Sequence, residues 1–190
     1  SNGIRASRRA PSCDQARAKT VQGAFNLELH PEPLATLLTH MFGDVDTTGS
    51  DPYTHTATPD AAEGSFTAQV GLPDSSGTVQ PFTYAGCKLT GWQLSGVAGE
   101  IATLDLDVVA KDYVTGTALA AASYGGSGCP FTFVHGAVSV AGSPLAEVTS
   151  FQLQATIARR VKHAVGSPLI LDPRETGRRQ HMITVETDFE

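Results

Sequence analysis

Charge, cysteine and long apolar runs are all scarce in this sequence, and each scarcity removes a class of explanation. Charged residues make up 17% of the chain, too few for a coiled coil or a disordered polyelectrolyte. Their formal balance is −6. Tight, sequence-reading nucleic-acid binding begins with phosphate neutralisation, so that class is set aside. No apolar run reaches the ~18 residues a membrane-spanning helix needs. "SNGIRASRRAPS" has arginines but no apolar segment after them, and no secretory signal is expected. Cys13, Cys87 and Cys129 form no CxxC pair. An odd, sparse set predicts reduced thiols in a cytoplasmic product, with one disulfide as the alternative.

What is abundant points to strands and turns. Glycine (19) and proline (11) accompany many Thr, Ser and Ala residues in a 190-residue chain, a mixture that suits one mainly β domain with extensions. One stretch departs from it. In "HPEPLATLLTHMFGD", Leu34, Leu37, Leu38, Met41 and Phe42 form one apolar stripe at helical period. Pro31 and Pro33 fit a first turn and Gly43 a left-handed stop, so a helix is predicted over about 31–43 with that stripe as its core face.

Elsewhere the pattern alternates. "AFNLELH" buries Phe25, Leu27 and Leu29; "PYTHTATP" and "GSFTAQVGL" read as a strand pair; "DSSG" reads as a turn. "TVQPFTYAGCKLTGWQLSG" reads as two strands broken near Ala85–Gly86, with Pro81 suggesting an edge or bulge. In "GEIATLDLDVVAKDYV", Leu104, Leu106 and Val108 oppose Thr103, Asp105 and Asp107. "FTFVHGAVSVAGSP" gives two short strands. "EVTSFQLQATIARRVKH" sets Phe151, Leu153, Ala155, Ile157 and Val161 against Gln152, Gln154, Thr156 and Arg160, and "HMITVETDFE" alternates again. Residues 1–20 form a basic arm ahead of a β domain spanning 21–190, and 115–130 is a long Gly-rich loop of the functional or mobile kind.

No catalytic constellation emerges. Ser127 in "GGSGC" misses the G-x-S-x-G elbow by one residue. The six histidines lack metal spacing, and Cys87 has no local base. Asp44, Asp46, Ser50 and Asp51 lack the central Gly and terminal Glu of a calcium loop, and turn chemistry accounts for them. Asp105 and Asp107 lie on one strand face without an apolar pocket to separate their pKa values. No enzyme, metal or cofactor is expected; the function is expected to lie in the surface.

Taken in series, the strand, the "HPEP" helix with its Gly stop, "YTHT-TP" and the run "F-Y-GCKLTGWQLSG-GE" with "LDLDVVAKDY" resemble the major tail tube proteins of long-tailed bacteriophages and their prophage and gene-transfer relatives. The helix corresponds to Glu32–Gly43, the "Y-H" strand to Tyr53–Thr58, the hairpin pattern to Tyr84, Gly86, Leu89 and Trp92, and the next strand to Ile101–Lys111. The likeness covers roughly 21–190. It implies a β-sandwich or partly rolled barrel with one flanking helix and long interface loops. It further implies rings, usually hexameric, stacked into a tube in the virion tail after assembly in the host cytoplasm. Partners implied are other copies of the chain, the tape-measure protein, tail-end connector and terminator proteins, and double-stranded DNA passing without specific binding.

A conduit must not hold phosphate, so a polar, neutral-to-acidic wall is expected. Candidates for it are Thr103, Asp105 and Asp107, with Gln152, Gln154 and Thr156. Candidate subunit contacts are Arg8, Arg9, Asp44, Asp46, Gly125, Gly126, Arg159 and Arg160. An acidic loop over 44–51 against the basic arm is expected to stack rings, and Arg159 and Arg160 to meet a neighbour's acids. The alternative is a β-sandwich module that binds carbohydrate or protein on a phage particle, which predicts an exposed aromatic platform; a hydrolase on a β-scaffold is the third reading.

Overall fold

The computed structural model describes residues 17–50, 53–60, 64–121 and 128–188. The chain opens with β1 (Val21–Glu28) and runs directly into α1 (Pro31–Phe42). Both prolines sit in the first turn of α1. Gly43, at φ 104°, stops the helix and donates its N–H to the Thr39 carbonyl, a conformation a side chain would strain. Met41 is buried, and Leu34, Leu37, Leu38 and Phe42 pack against the core while remaining partly accessible.

Two strands follow as a hairpin, β2 (Gly43–Thr48) and β3 (Thr54–Pro59). Asp44 and Asp46 therefore stand in a strand and not in the expected acidic loop. β3 pairs with β2, so the expected partnership with the next strand, β4 (Phe66–Pro73), does not form. Here β2 and β4 each pair with the next strand along the chain. β4 turns through Asp74–Gly77 into β5 (Val79–Val97), where the Asp74 carboxylate accepts bonds from Ser76 and Thr78 and fixes the reversal.

β5 is one strand of 19 residues, where the sequence suggested two. Its first half pairs with β4 and with β7 (Asp112–Val114). Its second half pairs with β6 (Thr103–Ala110) and β10 (Val148–Thr156). The chain bends at Gly86 without breaking. Gly86 has φ 63°, and a Cβ there would lie 3.0 Å from the Lys111 Cβ; the Lys111 N–H donates to the Ala85 carbonyl. A bulge between Leu89 and Gly91 then lets Leu89 and Trp92, three residues apart, both face the core.

After β6 and β7 come a short 3-10 turn at Phe133–His135 and a two-residue hairpin of β8 (Ser139–Val140) and β9 (Ser143–Pro144). The first of the two strands expected over this stretch is thus replaced by the 3-10 turn. β10 ends at Thr156. Ile157 leaves the sheet to donate its N–H to the carbonyl of the bulged Thr90, and the chain continues into β11 (Arg159–Arg160), β12 (Arg174–Glu175) and β13 (Gln180–Thr187). Val161, expected inside, is exposed because the strand no longer carries it.

The principal sheet has the order β1-β6-β5-β10-β13, antiparallel throughout. Its inner face supplies Leu104, Leu106, Val108, Leu89, Trp92 and Ala155 to a core that α1 and β4 help to cover. The result is mainly β and sandwich-like, with one short helix, and its sheets do not close into a barrel. Cys87 and Cys129 are free thiols; Cys13 lies outside the described residues.

Candidate functional site

Strand register converts scattered polar residues into one surface. Asn26, Asp105, Gln93, Gln154 and Met182 form one row across the principal sheet. Glu28, Thr103, Ser95, Gln152 and Thr184 form the next, and Ala24, Asp107, Gly91, Thr156 and Gln180 a third. All six residues expected on a polar wall therefore share one face of one sheet. Gln93 and Ser95 of β5 join the two strands that carry them. These two were legible as alternate positions to Trp92 and Leu94, but the bulge hid the phase.

The face is bound together sideways. Asn26 Nδ2 donates to Asp105 Oδ1 at 2.6 Å, the Ser95 and Thr103 hydroxyls lie 2.9 Å apart, and Ser150 donates to Glu186 at 2.8 Å. Glu28, Asp105, Asp107 and Glu186 make the face acidic. Its one strand cation, Lys88, sits at an end and pairs with Asp172 at 2.9 Å. Around the bulge is a shallow depression of about 180 Å³ bordered by Gly91, Asp105, Asp107 and Gln154. Among the described residues, no three His, Cys, Asp or Glu side chains are grouped to hold a metal ion.

Two open edges flank this face. β1 and β13 are the outermost strands, each eight residues long, and among the described residues no strand pairs with their outer sides. Successive antiparallel pairings make β1, β5 and β13 run in the same direction. Folded proteins usually blunt such edges with proline, lysine or a bulge. Neither "VQGAFNLE" nor "QHMITVET" contains Pro, Lys or Arg. On the inner-face parity, Ile183 is 71% exposed and Leu27 37% exposed.

The remaining candidates are dispersed. Asp44 and Asp46 are exposed on β2, away from the sheet face. Arg8, Arg9, Gly125 and Gly126, with Ser127 and Asp51, lie outside the described residues. Arg159, expected to reach a neighbour, turns inward. Its Nε donates to the Leu89 carbonyl and its Nη1 to that of Pro173; burial lowers its pKa, with Glu175 opposing. Arg160 beside it is exposed. Arg179 was not singled out by sequence, yet it donates to the carbonyls of Phe42 and Asp60 and to Glu175, tying the end of α1 to β12. Lys19, just ahead of β1, is also held. Lys19 donates to Asp112 at 2.6 Å and lies 3.7 Å above the Tyr113 ring, and its hydrogen bond holds the Asp112 pKa below the ordinary carboxylate range.

Features of the rival readings are weak. Trp92 is 3% exposed and serves the core. The Cys87 thiol is buried and burial raises its pKa, the wrong direction for a nucleophile. Asp74 falls to about 2 through hydrogen bonds from Ser76 and Gln80, which is turn chemistry.

No curated protein sequence matches the chain. A family model described as phage tail tube protein matches residues 1–190, including the basic segment that the resemblance had left out. That match spans the polar face and both open edges, and the chain belongs to the phage tail tube protein family.

Proposed function

We propose that this structural component of the virion tail forms closed rings by placing the β1 edge of one copy beside the β13 edge of the next, with the polar face lining the bore. The observation that carries the reading is the acidic face bounded by two parallel, unprotected edges. Six copies of five strands at ~4.8 Å spacing give a wall roughly 46 Å across before strand tilt widens it, room for a duplex. Asp105, Asp107 and Glu28 would repel phosphate along it, while Gln154, Gln152, Thr103 and Thr156 supply a wetted, uncharged surface. Duplex DNA and the tape-measure protein would pass through; connector and terminator proteins would meet the ends.

The helix has its place in this scheme. α1 covers the inner face of the sheet through Phe42, whose ring lies 5.5 Å from that of Trp92. The opposite face is thereby left for the bore. Stacking of rings falls to the basic arm over 1–20 with Arg8 and Arg9, the exposed Asp44 and Asp46, the loop with Gly125 and Gly126, and Arg160. A contact between unlike surfaces does not close and so extends a filament.

Negative-stain microscopy of concentrated protein, with light scattering on the same sample, tests the reading. Hollow rings or tubes are expected. A compact monomer at every concentration, even with a tail-initiation complex added, would favour a binding or decoration module instead.

A further inference from the structure

An apolar wedge of about 250 Å³ opens beside the β1 edge. Val21 and Phe25 of β1, Val108 and Ala110 of β6, Val70 of β4 and Tyr84 of β5 line it. Five consecutive β1 residues, Val21 to Phe25, contribute to its wall, so it borders the edge strand rather than the buried centre. Gly23, paired with Val108 on the inner-face parity, stands at this wall, and a Cβ built on it would meet nothing within 4 Å. The sandwich is thus underfilled at one edge. At the other, Ile183 of β13 carries the same inner-face parity and is 71% exposed. One edge lacks apolar volume and the opposite edge has it in excess.

We propose that the wedge is a socket for a second copy of this chain, filled by the inner-face side chains of the neighbour's β13, Ile183 foremost. This rests on the ring reading and deepens it: the two edges join by side-chain insertion as well as by backbone pairing. The family's self-association makes another copy the occupant of choice. β13 continues the parity and direction of β1, so an adjoining β13 projects Ile183 toward the wedge side of the sheet. Filling apolar volume there removes two exposed surfaces from water at once.

Two substitutions test the socket from opposite edges. Gly23→Phe fills it from within, and Ile183→Asp places a charge on the inserted side chain. Neither position is buried in the isolated chain, so circular dichroism and the thermal midpoint should stay near those of the unaltered protein. Each should raise the protein concentration for half-assembly, read by light scattering, at least ~10-fold. The double variant should be clearly less impaired than the product of the two, because both remove the same contact; a full product would overturn the socket. Unchanged assembly for either variant would overturn the socket. Loss with Gly23→Phe alone would point to a different occupant, such as residues 1–16 or a small apolar ligand, and would also overturn it. Hydrogen exchange on the unaltered assembly separates this from failure of the ring reading. Slowed exchange of both β1 and β13 amides upholds edge joining whatever the variants do, whereas unslowed edges reject the ring reading itself.

Discussion

Leu104 and Asp105 are adjacent in β6, yet they belong to surfaces with opposite tasks. Leu104 is buried in the core, while Asp105 is half-exposed in a row of residues that crosses five strands on the polar face. The inner face is held by burial and has little freedom in size. The outer face is held by lateral hydrogen bonds and is constrained in charge. One strand, read at period two, therefore separates what keeps the chain folded from the polar surface proposed to line the bore.

Truncating each of the two neighbours to alanine separates the faces most sharply. Leu104→Ala should destabilise by about 2–5 kcal/mol through lost burial and the cavity left behind, seen as a lower denaturation midpoint. Asp105→Ala should change it by less than ~1 kcal/mol. Equal costs at the two sites would show that the outer face is structural too.

Next in size is the tie at the edge of the core. Arg179 is mostly buried and donates both to the last carbonyl of α1 and to the Glu175 carboxylate. Arg179→Ala should cost about 1–3 kcal/mol because it removes charged hydrogen bonds to the Phe42 and Asp60 carbonyls and the ion pair with Glu175. In hydrogen exchange the loss should appear first in α1 and the β2–β3 hairpin.

Charge reversal sharpens the outer face. Asp105→Lys with Asp107→Lys should leave folding within ~1 kcal/mol of the unaltered protein but create duplex binding that weakens steeply with salt. Filter binding at low and moderate ionic strength reads it. Equal duplex affinity before and after would remove repulsion from the account.

The smallest effect concerns the Lys19–Asp112 pair ahead of β1. The Asp112 pKa is lowered when folded. The stability it contributes is therefore present above the unfolded carboxylate value near 3.9 and is lost as pH falls through the lower folded value. Lys19→Met should remove under ~1 kcal/mol at neutral pH, since the pair is partly exposed. It should also flatten the acid limb of the stability curve.

Much of this was legible in the sequence because it depends on period and punctuation. Leu34 to Phe42 announce a helix, Gly43 its end, and Leu104, Leu106 and Val108 a buried strand face. Long-range pairing was not legible. Nothing local says that β3 turns back on β2 instead of pairing with β4, or that a bend at Gly86 lets one strand serve two sheet halves. The bulge at Thr90 shifts phase by one residue and so concealed Gln93 and Ser95. Arg159 and Arg160 look alike in sequence. Only the departure of the chain after Thr156 sends Arg159 to main-chain carbonyls and leaves its neighbour outside.

A cryo-electron reconstruction of the assembled protein, traced at strand resolution, would reveal which edges meet and which face lines the bore. The expected map has β1 of each copy beside β13 of the next, with Asp105, Asp107 and Gln154 facing the bore and α1 outside. A tube in which that face points outward, or in which the two edges stay unpaired, would contradict it.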